Sequence, residues 1–166
     1  VEPGEIAKAT SVSFRHLALL AQTKSNDDAI WQSLVSSGAI TEPTKQLQDR
    51  LVRMRYWISS DHFPEEMRIN ILSTPNEQAL SLLDDEQKSV LKGLTTALHN
   101  CQWDAESIGG AIPQAAKDME YSPRSAYRAA YAALMGLEKG PRLAPILAEM
   151  DKKQIMNLLD SCCQLL

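Results

Sequence analysis

Apolar residues recur at intervals of three and four along most of this chain of 166 residues. This spacing places them on one face of an α-helix, whereas no sustained apolar–polar alternation indicates a β-strand. We therefore predict an all-α fold of about eight or nine helices. The clearest apolar stripes contain Phe14, Leu17, Ala18 and Ala21; Ile30, Trp31, Leu34 and Val35; Leu47, Leu51, Met54 and Ile58; Val90, Leu91, Leu94 and Leu98; Ile108, Ile112, Ala115 and Ala116; and Ile155, Leu158 and Leu159.

Residues that commonly cap helices precede most of these stripes, and prolines mark further boundaries. Thr41-Glu42-Pro43 is predicted to open a long helix that runs to about Ser60, and Pro64 to begin a fresh helix. Pro113 lies within a helical pattern, where its missing N–H and its ring are expected to kink or split the helix. The predicted N-caps are Ser13, Asn26, Asp84, Asp104, Ser122 and Asp151.

Changes in this pattern predict two helical subdomains. A soft boundary near Gln102–Asp104 separates a larger helical bundle, residues 12–103, from a smaller C-terminal helical cage, residues 104–166. Residues 1–11 are expected to be a leading segment or linker. The chain opens at Val1 without an initiator methionine, as an excised domain would.

The overall charge limits the classes of function that fit this chain. Its formal net charge of −4 and its isoelectric point near 5.4 argue against a general polyanion binder, although they leave room for a local basic patch. No apolar run is long enough to span a bilayer, so we expect no membrane partner.

The cysteines and histidines show no pattern of a disulfide or metal site. Cys101, Cys162 and Cys163 form an odd set, which favours free thiols in a reducing cytoplasm. His99 and Cys101 lack a zinc-ligand spacing with anything nearby, so we expect no metal.

The stretch from Ser122 to Leu147 is the most informative part of the chain. Ser122 and Pro123 suit the start of a helix, on which Tyr127, Ala130, Tyr131 and Leu134 are expected to form one apolar core face. The small alanines between them allow another helix to approach closely. Downstream of this helix, Gly136 is a plausible end signal and Gly140-Pro141 is expected to force a turn before the next helix.

Three motifs in this chain carry a family resemblance. The run from Leu134 to Leu147 reads LMGLEKGPRLAPIL and resembles the C-terminal end of class I aminoacyl-tRNA synthetases, where LxGxExGPRL or a close variant precedes the last helices. The arginine after Gly140-Pro141 points to the lysyl group. So do Ser13-Phe14-Arg15 with the leucines that follow, and Arg55-Tyr56-Trp57-Ile58 before Phe63-Pro64-Glu65-Glu66. Together these matches extend from near residue 12 to near residue 150.

The resemblance implies a role in tRNA binding without catalysis by this chain. The H-x-G-H-type and K-M-S-K-S-type motifs that hold ATP in the family are missing, and no Gly-rich phosphate loop replaces them. We therefore expect the C-terminal anticodon-binding part of a cytoplasmic lysine–tRNA ligase, with no catalytic residue and no cofactor of its own. Its partners would be the tRNA(Lys) anticodon stem-loop and the catalytic domain of the same chain, which would use ATP and Mg.

Cations and one aromatic residue are the candidate tRNA contacts, because unstacked bases are read by stacking and hydrogen bonds while phosphates attract Lys and Arg. Each has a plainer interpretation: Trp57 as a packed aromatic, Arg142 as a tie between the last two helices, and the remaining cations as solvated residues. The candidates are Arg50, Arg53 and Trp57 on the long helix, Arg124 and Arg128 on the Ser122 helix, and Lys139 and Arg142 beside Gly140-Pro141.

Two alternatives remain open on the sequence. One is the same region of a glutamyl-type class I synthetase, and the other is a helical protein-interaction module with no role in RNA binding. The acidic net charge is the main observation against an RNA-binding role.

Overall fold

The computed structural model describes residues 12–166. Nine α-helices lie within this range and no residue of it is in a strand, which confirms the predicted all-α fold. The expected linker at residues 1–11 lies outside the described residues. The elements are α1 Phe14–Thr23, α2 Asp27–Ser36, α3 Lys45–Ile58, a 3₁₀ helix Glu65–Met67, α4 Glu77–Ser81, α5 Asp85–Asn100, α6 Ala105–Lys117, α7 Pro123–Leu134, α8 Leu143–Ala148 and α9 Lys152–Gln164.

The chain divides into two compact units, of which the first ends at Ile69 and the second spans Asn70–Leu166. The boundary expected near Gln102–Asp104 falls inside the second unit, between α5 and α6, which pack against each other and against α7. This connection is tied into the unit because the indole N–H of Trp103 donates a 2.8 Å hydrogen bond to the carbonyl oxygen of Leu147. None of the helices in residues 12–166 is long and apolar enough to cross a membrane.

The first unit is built from α1, α2 and α3, and α1 packs against both of the others. Ser13 and Asn26 cap α1 and α2 as predicted, each accepting a hydrogen bond from a backbone N–H of the first turn. The buried core of this unit comprises Val12, Leu17, Ala18, Leu20, Ile30, Leu34, Ile40, Leu47, Leu51 and Met54. Three further members of the predicted stripes, Ala21, Trp31 and Ile58, are partly buried and pack against this core. Two others are largely in solvent, since Phe14 is 48% exposed and Val35 is 43% exposed.

The prolines mark helix boundaries less directly than predicted. The long helix begins at Lys45, later than expected, because the Thr44 hydroxyl caps it by accepting from the N–H of Leu47 at 3.1 Å. Pro64 is followed by a single 3₁₀ turn, because it provides no side-chain cap for a longer helix. Pro113 does not split α6, which is continuous from Ala105 to Lys117. The carbonyl that its ring crowds belongs to Gly109, whose backbone can adjust.

The second unit is organised around α7, which packs against α4, α5, α6 and α9. Its buried face is formed by small side chains, which let these neighbours approach closely. The two tyrosines are not part of that face: Tyr127 is 36% exposed and Tyr131 is half-buried at its edge. This corrects the expectation that both tyrosines lie in the core. The fully buried members are Ala126, Ala129, Ala130, Ala132, Ala133 and Leu134.

Candidate nucleic-acid interface

The loop that follows α7 is held in place by α7 itself. Gly136 has a φ of +68°, a left-handed conformation that ends the helix as predicted and that favours glycine. The Tyr131 hydroxyl donates hydrogen bonds to the carbonyl oxygens of Gly140, at 3.1 Å, and Pro141, at 2.6 Å. The backbone N–H of Leu137 donates to the carbonyl oxygen of Tyr131 at 3.3 Å. We call residues 135–142 the Gly-Pro loop; these bonds fasten it along one side of α7.

Arg128 braces the same loop from the preceding turn of α7. One guanidinium nitrogen donates to the carbonyl oxygen of Leu137 at 3.3 Å, and another lies 3.6 Å from a carboxylate oxygen of Glu138. The Arg128 side chain is mostly buried, whereas that of Glu138 is largely in solvent. Part of the hydrogen-bonding capacity of Arg128 is therefore already used within the protein.

Three further predicted cations are exposed, two of them in the Gly-Pro loop and one on α7. Arg124 lies one turn before Arg128, Lys139 lies within the loop, and Arg142 is its last residue. Within residues 12–166, none of these three side chains makes a hydrogen bond or an ion pair. The structure thus does not support Arg142 as the tie between the last helices, a role that Tyr131 fills. We call Arg124, Lys139 and Arg142 the loop cations.

A small pocket of about 230 Å³ adjoins the Gly-Pro loop. Two exposed leucines line it, Leu82 at 65% and Leu137 at 51%, and the remaining lining is largely polar. The Asn76 carboxamide oxygen caps α4 by accepting from the N–H of Ala79, while its nitrogen lies beside Gly136. We call this the loop pocket; its lining residues are Asn76, Gln78, Ala79, Leu82, Arg128, Gly136, Leu137 and Glu138.

The other three predicted contacts lie in the first unit, along an open groove of about 510 Å³. Arg50 donates a 3.0 Å hydrogen bond to the carbonyl oxygen of Val12, so it also has a structural role. Arg53, one turn further along α3, is exposed and makes no hydrogen bond or ion pair with the described residues. We call this the α1–α3 groove; it is lined by Phe14, Leu17, Arg50, Arg53, Met54 and Trp57.

Trp57 is packed between two other aromatic rings. Its ring centroid lies 5.0 Å from that of Phe14 and 4.7 Å from that of Phe63, the latter in an edge-on arrangement. Phe63 is 3% exposed, and the guanidinium carbon of Arg68 lies 5.1 Å from its ring centroid. The plainer interpretation of Trp57 as a packed aromatic therefore accounts for most of its surroundings, and Phe14 is the ring of this stack that faces solvent most.

Sequence reasoning missed five residues that the structure brings to these sites. One of them, Glu138, is visible in the sequence only as part of the family motif. Phe14 sits at a core position of the α1 stripe, and no sequence signal distinguishes it from a buried phenylalanine. Asn76 lies in the run Ser73-Thr74-Pro75-Asn76, which indicates only a loop. Leu82 and Leu137 are apolar residues in short segments without helical periodicity, a weak signal that they are not core.

The remaining titratable groups form no further site in the described part of the chain. Within it, no three His, Cys, Asp or Glu side chains are grouped as metal ligands would be. The three cysteines are free thiols, as predicted. Cys162 is fully buried, and burial together with the neighbouring Cys163 thiol raises its pKa from the ordinary value of 9.0 to about 11.

Comparison with known families identifies the class of domain. The anticodon binding domain family matches residues 21–161, which is most of the chain. The chain therefore belongs to this family of anticodon-binding domains, and the resemblance drawn from its sequence motifs is confirmed.

Individual relatives narrow the comparison to one kind of enzyme. A lysine–tRNA ligase of Picrophilus torridus is 26% identical over 90% of this chain and 29% of its own length. Lysine–tRNA ligases of Methanocaldococcus jannaschii and Methanococcus maripaludis are 32% and 31% identical, each over 68% of this chain and 21% and 20% of their own lengths. The chain thus spans less than a third of the length of these curated relatives.

Proposed function

We propose that this chain is the anticodon-binding region of a cytoplasmic class I lysine–tRNA ligase and that its second unit binds the anticodon stem-loop of tRNA(Lys). The parent enzyme would charge that tRNA with lysine, using ATP and Mg on a separate catalytic domain. The observation that carries the proposal is the set of loop cations, exposed and unpaired within the described residues, in a unit whose Gly-Pro loop also lines a pocket and whose chain belongs to a family of anticodon-binding domains. Three relatives that are lysine–tRNA ligases favour the lysyl over the glutamyl interpretation.

The loop cations are suited to contacts with backbone phosphates. Arg124 lies on α7, and Lys139 and Arg142 lie in the loop that Tyr131 braces, so the backbone that carries all three is already ordered before RNA binds. A net charge of −4 over the whole chain means that these local charges, rather than a general attraction, must orient the RNA. With few phosphate contacts, we expect weak binding that falls steeply with added salt.

The loop pocket has the chemistry to hold one unstacked uracil. Leu82 and Leu137 offer apolar surface to the flat faces of a base. The Asn76 carboxamide nitrogen can donate to a uracil carbonyl, and the Glu138 carboxylate can accept from the uracil N3–H. Cytosine presents an acceptor at N3 and an amino group at position 4, so in the position that uracil occupies its N3 would face the Glu138 carboxylate without a proton to donate. At about 230 Å³, the pocket lies below the range of about 300–1,000 Å³ for sites that enclose a whole small molecule.

The role of this unit would be to select the tRNA, and bond making would occur elsewhere. Discrimination between tRNAs then depends on the difference in binding free energy between cognate and non-cognate anticodons. Replacing the bound uridine by cytidine, held in the same position, would remove the hydrogen bond from N3–H to Glu138 and leave that carboxylate without its donor.

The test replaces the loop cations with neutral side chains of similar length. In the triple variant Arg124→Gln, Lys139→Gln and Arg142→Gln, we expect affinity for a tRNA(Lys) anticodon stem-loop to fall at least about tenfold at low salt. The slope of log affinity against log salt should become shallower by about one for each phosphate that the variant no longer neutralises. Lys92→Gln, an exposed change on α5, is the matched control and should leave the affinity nearly unchanged.

Two results would count against the proposal. Unchanged affinity and slope in the folded triple variant would remove the loop cations from the interface. If the unaltered chain binds no RNA at any salt but self-associates through its exposed apolar residues, the protein-interaction alternative would replace the RNA-binding one.

A further inference from the structure

We propose that the α1–α3 groove is a second RNA-contact site, which holds one unstacked base against Phe14 while Arg53 contacts the adjoining phosphate. The inference rests on the proposed function, since it takes RNA to be the partner. It adds a separate site, on the first unit, with a different mode of recognition. Base stacking on an aromatic ring requires no particular base, so this site would add affinity without reading sequence.

Phe14 is an exposed ring with a fixed support behind it. It is 48% exposed, although its position in the α1 stripe would normally bury it. Trp57 packs against it at 5.0 Å between ring centroids, and Phe63 packs edge-on against Trp57 at 4.7 Å. A base that stacks on Phe14 therefore meets a surface that needs no rearrangement.

Arg68, a cation fixed by hydrogen bonds, packs against Phe63 at the buried end of the ring stack. The Arg68 guanidinium lies over Phe63 and donates 3.0 Å hydrogen bonds to the carbonyl oxygens of Ile58 and Ser60. These bonds fasten the ring stack to the C-terminal end of α3, where a cation is favoured. The stack of Phe14, Trp57 and Phe63 is thus anchored at its buried end and open to solvent at the other.

The groove beside Phe14 is open to solvent and lined mainly by apolar side chains. Its volume of about 510 Å³ leaves room for a base to lie against Phe14. Leu17 and Met54 form a buried apolar floor, while Arg50 and Arg53 lie along α3 at its side. Such a groove suits a ligand that has a flat apolar part, which packs on the apolar side chains, and an anionic part, which pairs with the arginines.

Charge is what favours RNA over a peptide as the occupant. Arg53 is exposed and makes no hydrogen bond or ion pair within residues 12–166, although Asp49 lies one turn before it on α3. A neutral apolar peptide segment would either bury this guanidinium without a partner or leave it in solvent, because it offers no anionic group. A nucleotide supplies a base that can stack on Phe14 and a phosphate that can pair with Arg53, and both side chains line this groove.

The test observes the groove directly by NMR while RNA is added to the chain. The indole N–H resonance of Trp57 can be assigned by its loss in Trp57→Phe, since Trp31 and Trp103 supply the other two. We expect that resonance to shift on addition of the tRNA(Lys) anticodon stem-loop and of a short oligouridylate. A ribose-phosphate oligomer of equal length without bases should leave it in place, because it cannot stack.

Variants separate stacking from general charge attraction. Phe14→Ala should weaken binding of the oligouridylate at least about fivefold, and Phe14→Tyr should restore it, because a tyrosine ring stacks equally well. Arg53→Gln should weaken binding about as much and flatten the salt dependence. The matched control is Lys45→Gln, an exposed change on the same helix eight residues from Arg53, about 12 Å along the axis.

The outcomes distinguish failure of this inference from failure of the proposed function. If the stem-loop binds while the Trp57 resonance and the Phe14 and Arg53 variants are unaffected, the groove is not an RNA site and the function of the second unit stands. An equal shift with the base-free oligomer would leave only a phosphate contact and overturn the stacking claim. If neither RNA binds the chain, both proposals fail.

Discussion

The hydroxyl of Tyr131 donates a 2.6 Å hydrogen bond to the carbonyl oxygen of Pro141, ten residues further along the chain. This contact joins the central helix α7 to the turn before α8. Because Pro141 lies in the motif that carries the family resemblance, the bond explains what that motif does structurally. It holds the loop that carries Lys139 and Arg142 against a helix whose other face is buried.

Removing this hydroxyl should destabilise the second unit and loosen the Gly-Pro loop. We expect Tyr131→Phe to lower the free energy of unfolding by about 1 kcal/mol, since the ring packing is kept and the hydrogen bonds are removed. Affinity for the anticodon stem-loop should fall as well. Urea unfolding and RNA titration measure the two effects. Tyr127→Phe is the control, because the Tyr127 hydroxyl has no hydrogen-bond partner within residues 12–166.

Two glycine substitutions should have opposite effects on stability. At Gly136, φ is +68° and an added Cβ would lie 2.9 Å from the Asn76 carboxamide nitrogen, so Gly136→Ala should cost more than about 1 kcal/mol. At Gly110, inside α6, an added Cβ meets nothing within 4 Å, so Gly110→Ala should stabilise by about 0.5–1 kcal/mol. Thermal unfolding of the two variants measures this. Equal effects would contradict the loop geometry described above.

Arg68 should matter for stability more than an exposed arginine normally does. Its removal in Arg68→Met leaves the carbonyl oxygens of Ile58 and Ser60 without their donors, and we expect a cost of about 1–3 kcal/mol in urea unfolding. Glu65→Gln is the control, because the Glu65 side chain is 83% exposed and its ion pair with Arg68 should contribute at most about 0.5 kcal/mol. A larger effect at Glu65 than at Arg68 would contradict this anchor.

Stability should fall at alkaline pH, in part through Cys162. Burial raises the pKa of its thiol from 9.0 to about 11 in the folded protein, so the folded state keeps this proton after the unfolded state has lost it. Stability contributed by the neutral thiol is therefore complete below pH 9 and lost as the pH rises to about 11, by about 2 kcal/mol. Unfolding free energies measured between these pH values should decline less steeply in Cys162→Ala. An unchanged slope would show that the thiol ionises equally in both states.

Most of the helices could be predicted because their apolar stripes and caps are local signals. Asp84 shows how far a cap can be read from sequence: it forms a capping box with Gln87, and α5 begins immediately after it. The start of α3 is harder to predict, since Thr41 and Thr44 are both able to cap and only tertiary packing selects between them. The prediction was that Pro113 kinks or splits its helix, and the split is wrong because α6 is continuous. Spacing rules do not take into account that the residue four positions earlier, Gly109, can adjust its backbone.

The sequence led to the candidate cations but not to their roles, because it does not show which of them are hydrogen-bonded within the protein. Charge and motif position led to the loop cations, but sequence could not tell that Arg128 is used to brace the loop while Arg124 is exposed. Both lie one turn apart on α7, and only the fold of the Gly-Pro loop decides their roles. The exposure of Phe14 could not be predicted either, because its α1 position repeats with Leu17 at core spacing.

The most direct test of the central claim is binding of this chain to tRNA(Lys) anticodon stem-loops at low salt, with each anticodon uridine replaced in turn by cytidine. If the second unit reads the anticodon, at least one replacement should weaken binding about tenfold, as expected when matched hydrogen bonds are removed. Asn76→Ala should weaken that discrimination while the chain remains folded, because one of the two hydrogen bonds to the base is lost. If every stem-loop binds with equal affinity, and if that binding is lost as salt is added, the chain does not read the anticodon. The RNA contact would then be to the phosphate backbone alone.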